Sequence, residues 1–281
     1  MAQDPAEPAK PAAAEAPATA VEEESEDSEF GKLIKSLDWV KDGAGKLGGR
    51  ASIKVPAGYL FTGAPGTVKL MEAHGNLTSG TELGYLTPED MNWFAVFEFD
   101  DCGYVKDDDK DGLDAAKLLE QMQEGQKLAN EELTKRGMPT FEVVGWHTPP
   151  FYNTQTNNLE WAIRLSSGGD ETINYKTKLL GRRGVMDVVL ACKEEQMSKV
   201  VPAYQELLKG FSFNQDENYA SFTKGEKIAE YGLTGLIVGG GLLVAAKSGL
   251  LAKLWKPIAF GLVAIGAFVK RIFTGRTQKS I

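Results

Sequence analysis

The chain has 281 residues, 42% of them hydrophobic, enough to build a core for one or two domains. Its formal charge of −8 is unevenly spread: residues 1–29 carry −8, residues 247–281 carry +7, and the stretch between them carries −7. An acidic body with basic residues gathered at one end argues against a nucleic-acid partner. The two cysteines, Cys102 and Cys192, form no CxxC motif and fit no zinc site, and the two histidines, His74 and His147, leave few bases for triad chemistry.

Residues 1–29 are rich in Pro, Ala and Glu and almost devoid of large apolar side chains, so this arm is expected to stay disordered. "AQDP" after Met1 looks like the mature edge of a secretory precursor cut after a small residue, which implies a removed signal peptide.

Residues 30–222 read as an α+β domain, a mostly antiparallel sheet with two main helices packed against it. Alternation predicts strands at 51–55, 92–99, 141–147, 159–165, 172–180 and 185–192. The glycine stretches 168–170 and 181–184 read as hairpin turns. One helix is predicted from about Leu113 to Arg136, stopped by Gly137 and Pro139. A second covers Glu195–Lys209, where Pro202 is expected to introduce a kink or to mark the true first turn.

The candidate chemistry sits in "DDDKDG", residues 107–112. Asp107, Asp109 and Asp111, followed by Gly112, match the opening of an EF-hand calcium loop. The twelfth position should be a bidentate glutamate and is Leu118, and a strand rather than a helix comes before the loop. The competing expectation makes Asp111 the cap of the following helix, with the other carboxylates at the positive end of its dipole. His147, beside Trp146, reads as a structural edge residue; its use with Asp100 or Asp101 in a hydrolase is the weakest of the alternatives. Arg182 and Arg183 are expected in a solvated hairpin turn, with anion binding as the alternative. The two cysteines read as semi-buried thiols.

Residues 229–246, "AEYGLTGLIVGGGLLVAA", form an apolar run long enough to cross a bilayer as a helix. Gly235 and Gly239 give it a small-xxx-small face for packing against another membrane helix. A second apolar segment, 250–269, fits a second crossing or an interfacial helix. Lys247, Lys253, Lys256, Lys270 and Arg271 are expected to face anionic lipid head groups. The expected partners are therefore the lipid bilayer and a protein in the membrane or periplasm. The expected localisation is the bacterial inner membrane, with the body in the periplasm. No cofactor is implied.

Four stretches, "GYVKDDD", "GWHTPPFYNTQTNNLEWA", "LLGRRGVMDVVL" and "KGEKIAEYGLTGLI", resemble the family of bacterial membrane-anchored proteins called domain of unknown function 2167, over roughly residues 30–273. The resemblance implies a signal peptide, an extracytoplasmic domain and a C-terminal anchor; it supplies no activity and no catalytic residues. Cys102 and Asp111-Gly112 depart from the family's pattern. The order of elements is also similar to the Mog1/PsbP-like α/β/α sandwich, whose members tend to be accessory binding modules without enzymatic activity.

Overall fold

In the predicted strands 92–99 and 159–165 alternate side chains are apolar, and the fold buries those two sets on opposite faces of one large sheet. A computed structural model describes residues 28–73, 78–135, 140–168 and 170–239. The strands are β1 (Gly43–Leu47), β2 (Ala51–Val55), β3 (Tyr59–Gly63), β4 (Glu82–Pro88), β5 (Phe94–Asp100), β6 (Glu142–Asn153), β7 (Asn158–Ser167), β8 (Asp170–Leu180), β9 (Val185–Ala191) and β10 (Phe211–Phe213). The helices are α1 (Glu29–Ser36), α2 (Ala64–Ala73), α3 (Ala115–Lys135), α4 (Met197–Leu208) and α5 (Leu233–Val238).

The α+β class is as expected, but the strands form two sheets where one was anticipated. Seven strands lie in the order β3-β4-β5-β9-β8-β7-β6, and three in the order β1-β2-β10. Among the described residues, all of the paired strands run antiparallel. Short strands such as β1 and β10 escape a periodicity reading because each contributes only one or two turns of alternation.

The main core lies between the two sheets and α4. Ala95, Phe97 and Phe99 of β5 and Met186, Val188 and Leu190 of β9 meet Leu47, Ile53 and Val55 of the small sheet, with Val200, Tyr204 and Leu207 of α4 closing the layer. Tyr204 donates a 2.9 Å hydrogen bond to Thr177 Oγ1, which satisfies its buried hydroxyl. Pro202 sits inside α4, past its first turn, and so does not mark the helix start; a 3-10 turn at Glu194–Gln196 leads into the helix instead.

The opposite face of the large sheet carries two further cores. Tyr85, Phe94, Val96, Val189 and Ala191 pack under α1 and α2. Leu159, Trp161, Ile163 and Leu165 of β7, together with Leu180 and Val185, pack under α3 and α5. The β5, β7 and β8 faces assigned from alternation are the ones observed.

Both thiols are free. Cys192 is buried in the main core with its Sγ 3.2 Å from Met197 Sδ, and Cys102 borders the α3/α5 core. Burial pushes the Cys192 thiol up to about 12.

Phe97 has no exposed surface. Phe97→Ala is expected to lower unfolding stability by about 3–5 kcal/mol, read from denaturant midpoints at constant slope.

Candidate functional site

The acidic loop that followed β5 in the sequence reading is a seat for the chain's C-terminal strap, residues 222–232, and for the helix that follows it. Tyr104 N–H donates to the Lys227 carbonyl at 2.9 Å, and Ala229 N–H donates back to the Tyr104 carbonyl at 2.9 Å. This makes a parallel bridge between Tyr104 and Ile228. Lys227 Nζ reaches the Asp101 carbonyl at 2.7 Å. Gly103 adopts φ +98, and a Cβ there would come 2.9 Å from the Lys227 carbonyl oxygen, so the close approach of strap to loop requires glycine.

Aromatic stacking supports the pairing. The Tyr104 ring stacks on Tyr219 at 4.5 Å and on Phe222 at 4.1 Å, and Tyr219 donates its hydroxyl to the Val105 carbonyl. On the far side, the Arg182 Nε donates to both Glu226 oxygens at 3.0 and 2.9 Å. That hairpin arginine is thus an ion-pair residue of the strap rather than a solvated turn residue. The Arg182 side chain holds the Glu226 carboxyl down at about 2.

Asp109 provides the central contact. Its Oδ1 accepts from Leu233 N–H at 3.0 Å and its Oδ2 from Thr234 N–H at 2.9 Å, so a side chain 124 residues upstream supplies the cap of α5. Burial works to raise the Asp109 pKa, but the Thr234 and Leu233 hydrogen bonds outweigh it and hold the carboxyl below its ordinary value. Leu233, Leu236, Ile237 and Val238 then sink into the α3 core.

The three sequence-selected aspartates therefore have separate fates. Asp107 pairs with Lys110 at 3.2 Å, Asp109 holds α5, and Asp111 is exposed in a 3-10 turn, Lys110–Gly112. The expected capping role of Asp111 belongs to Asp114, whose Oδ1 accepts from Ala116 and Lys117 N–H at 3.1 and 3.2 Å. Among the described residues, no three histidine, cysteine or acidic side chains come together as a metal-holding group. A cleft of about 300 Å³ opens between Lys106, Asp108 and Asp109 on the loop and residues 229–232 on the strap.

The apolar run expected to cross a membrane from residue 229 begins differently. Residues 229–232 are strap, the helix starts at Leu233, and Gly239 ends it in the left-handed conformation, φ +84. Gly235 packs against its own chain, since a Cβ there would lie 2.5 Å from Tyr231 Cβ. Among the described residues no helix is long and apolar enough to cross a membrane. Lys247, Lys253, Lys256, Lys270, Arg271 and the second apolar segment lie outside the described residues, as do His74 and residues 1–27. His147 is exposed on the edge strand β6, its Nδ1 3.2 Å from Thr148 Oγ1.

The sequence reading missed Tyr104, Glu226, Tyr231 and the capping role of Asp109. Tyr231 donates its hydroxyl to Asp100 Oδ2 at 3.3 Å and neighbours Cys102, whose thiol burial and then Asp100 push up to about 11. The available signal was the pairing of two motifs, "GYVKDDD" and "KGEKIAEYG", which interlock here.

The architecture defines an antiparallel α+β sandwich closed by a C-terminal strap. The chain belongs to the family described as protein of unknown function (DUF2167), whose pattern matches residues 40–269. No curated protein matches the chain. Among solved structures it is similar to the solution structure of cyanobacterial PsbP (CyanoP) from Synechocystis sp. PCC 6803, at 12% identity and TM-score 0.36, covering 63% of this chain and 92% of that one.

Asp109→Ala is expected to cost about 1 kcal/mol and Asp109→Asn part of that, because asparagine keeps one acceptor oxygen while its Nδ2 faces the other amide N–H. The check is hydrogen exchange at the Leu233 and Thr234 amides, accelerated at both in the alanine variant and restored at one of them by asparagine. The Arg182–Glu226 contribution has a fixed sign with pH. The folded Glu226 value lies below its ordinary 4.5, so this stabilisation is present above 4.5 and lost as pH falls through about 2. Protection of the Tyr104 and Ala229 amides, measured against their intrinsic exchange rates, is expected to fall as pH drops across that window in the wild type and to show no such step in Glu226→Gln.

Proposed function

We propose that the protein is a membrane-attached, periplasm-facing accessory module without enzymatic activity that holds a protein partner near the bilayer. The observation supporting this reading is the seating of the strap and α5 on the acidic loop. The apolar stretches 240–246 and 250–269 and their lysines come directly after α5. A domain tied to its attachment only by a flexible linker would have no use for a carboxylate cap, a bidentate ion pair and a backbone bridge on the last residues of the body. Those contacts fix the path by which the chain leaves the body. Because α5 belongs to the core of the body, the attachment is assigned to residues beyond Gly239, with Lys247, Lys253 and Lys256 towards the anionic lipid surface. The acidic N-terminal arm then serves as a solvated spacer.

Partner contact is assigned to the exposed edge of the body. Val144 and Phe151 on β6 remain 44% and 41% exposed, high for large apolar side chains.

The full chain is expected to sediment with membranes, to resist alkaline carbonate extraction, and to lose its body to protease added to spheroplasts. A photo-crosslinker at Phe151 is expected to capture one defined neighbour in native membranes. Release into the carbonate supernatant would remove the membrane assignment; crosslinks only to the protein itself would remove the partner.

A further inference from the structure

Four charged residues from four different strands line up across the face of the large sheet that carries the two helix-covered cores. Glu82 of β4 is the register partner of Glu98 on β5, Glu98 of Asp187 on β9, and Asp187 of Lys178 on β8. Antiparallel register partners share a face with their Cβ atoms about 4.5–5.5 Å apart, so three carboxylates stand side by side. The row lies between the buried pair Val96 and Val189 and the buried pair Val185 and Leu180.

The outer two carboxylates are committed. Glu82 accepts from Ser79 N–H at 2.7 Å, Gly80 N–H at 2.8 Å and Ser79 Oγ at 3.2 Å. Asp187 accepts from Lys178 Nζ through its Oδ2. Burial acts to raise the Asp187 pKa, but Lys178 and then Lys176 outweigh it and keep the carboxyl low. The remaining oxygen of Asp187, Oδ1, is buried and has no hydrogen-bond partner. An acceptor without a donor in such a place is destabilising. Glu98 is the register partner of Asp187 on β5, on the side away from Lys178.

We propose that Glu98 is the proton-binding residue of the central sheet. When protonated it donates to Asp187 Oδ1 and joins β5 to β9; when it gives the proton to solvent, that link is replaced by carboxylate repulsion. The groups facing it are Glu82 from β4, Asp187 from β9, and Lys176 and Lys178 from β8. Burial first, then Asp187 and Glu82, push the Glu98 carboxyl up to about 7 against the pull of Lys176 and Lys178. Like charges set side by side leave the middle one to take the proton, as in a carboxylate dyad. The sign follows from linkage: a folded value raised above the ordinary 4.5 gives stability that is complete below 4.5 and lost as pH rises through about 7. The pH range in which the sheet centre changes charge therefore includes neutrality.

The test compares thermal unfolding of the full chain in detergent, wild type against Glu98→Gln, from pH 5 to pH 8. The wild type is expected to lose roughly fiftyfold to hundredfold in its folded-to-unfolded ratio relative to the variant across this range. The melting temperatures then draw apart towards pH 8. A gap constant with pH overturns the proposal. Carbon-13 labelling of the glutamate carboxyls provides a second, independent reading in the wild type, valid even if the variant fails to fold. A Glu98 resonance titrating near pH 7 supports the assignment, and one titrating below pH 5 overturns it.

Discussion

Phe97 of β5 and Val188 of β9 are register partners without exposed surface on one face of the large sheet, and Val96 and Val189 are buried partners on the other. Strands covered on both sides must be supplied with two separate apolar layers, and the other elements meet that requirement. The small sheet and α4 cover one face; α1 with α2, and α3 with α5, cover the two ends of the other. Two-sided burial also explains why β5 and β9 carry so few polar side chains, and why Glu98 and Asp187 are consequential where they do occur.

Much of this was legible from single-sequence patterning. Trp93, Ala95, Phe97 and Phe99 alternate cleanly, and so do Leu159, Trp161, Ile163 and Leu165, because each set faces one continuous core. The long helix α3 announced itself by its 3.6-residue spacing. What the sequence could not show was pairing across distance. Asp111 and Asp114 are equally good capping residues on paper, and only the backbone trajectory through the 3-10 turn gives the role to Asp114. Asp109 looked like a metal ligand because its partners, two amides 124 and 125 residues away, leave no trace in local composition.

The membrane expectation met a similar difficulty. Hydropathy does not distinguish an apolar residue buried by protein from one buried by lipid. Leu233, Leu236 and Ile237 satisfy either reading, and in the folded body they are core residues. The Asp109 carboxylate at its start and the left-handed Gly239 at its close mark α5 as a short helix belonging to the domain. The hairpin arginines are a parallel case. "GRRG" suggests a solvated turn, yet Arg182 is tied to Glu226 and Arg183 to Glu217, both far along the chain.

The separation between Asp109 and its amides also imposes an order in time. During synthesis the acidic loop emerges long before residues 222–238 exist, so the α3 side of the core around Leu159, Trp161 and Ile163 is present before α5 can complete it. Contacts of such large sequence separation are slow to form, because the intervening loop must close before they contribute. A nascent chain of this protein therefore carries an apolar layer covered by α3 alone, beside an Asp109 carboxylate without its amides, until residues 222–238 arrive.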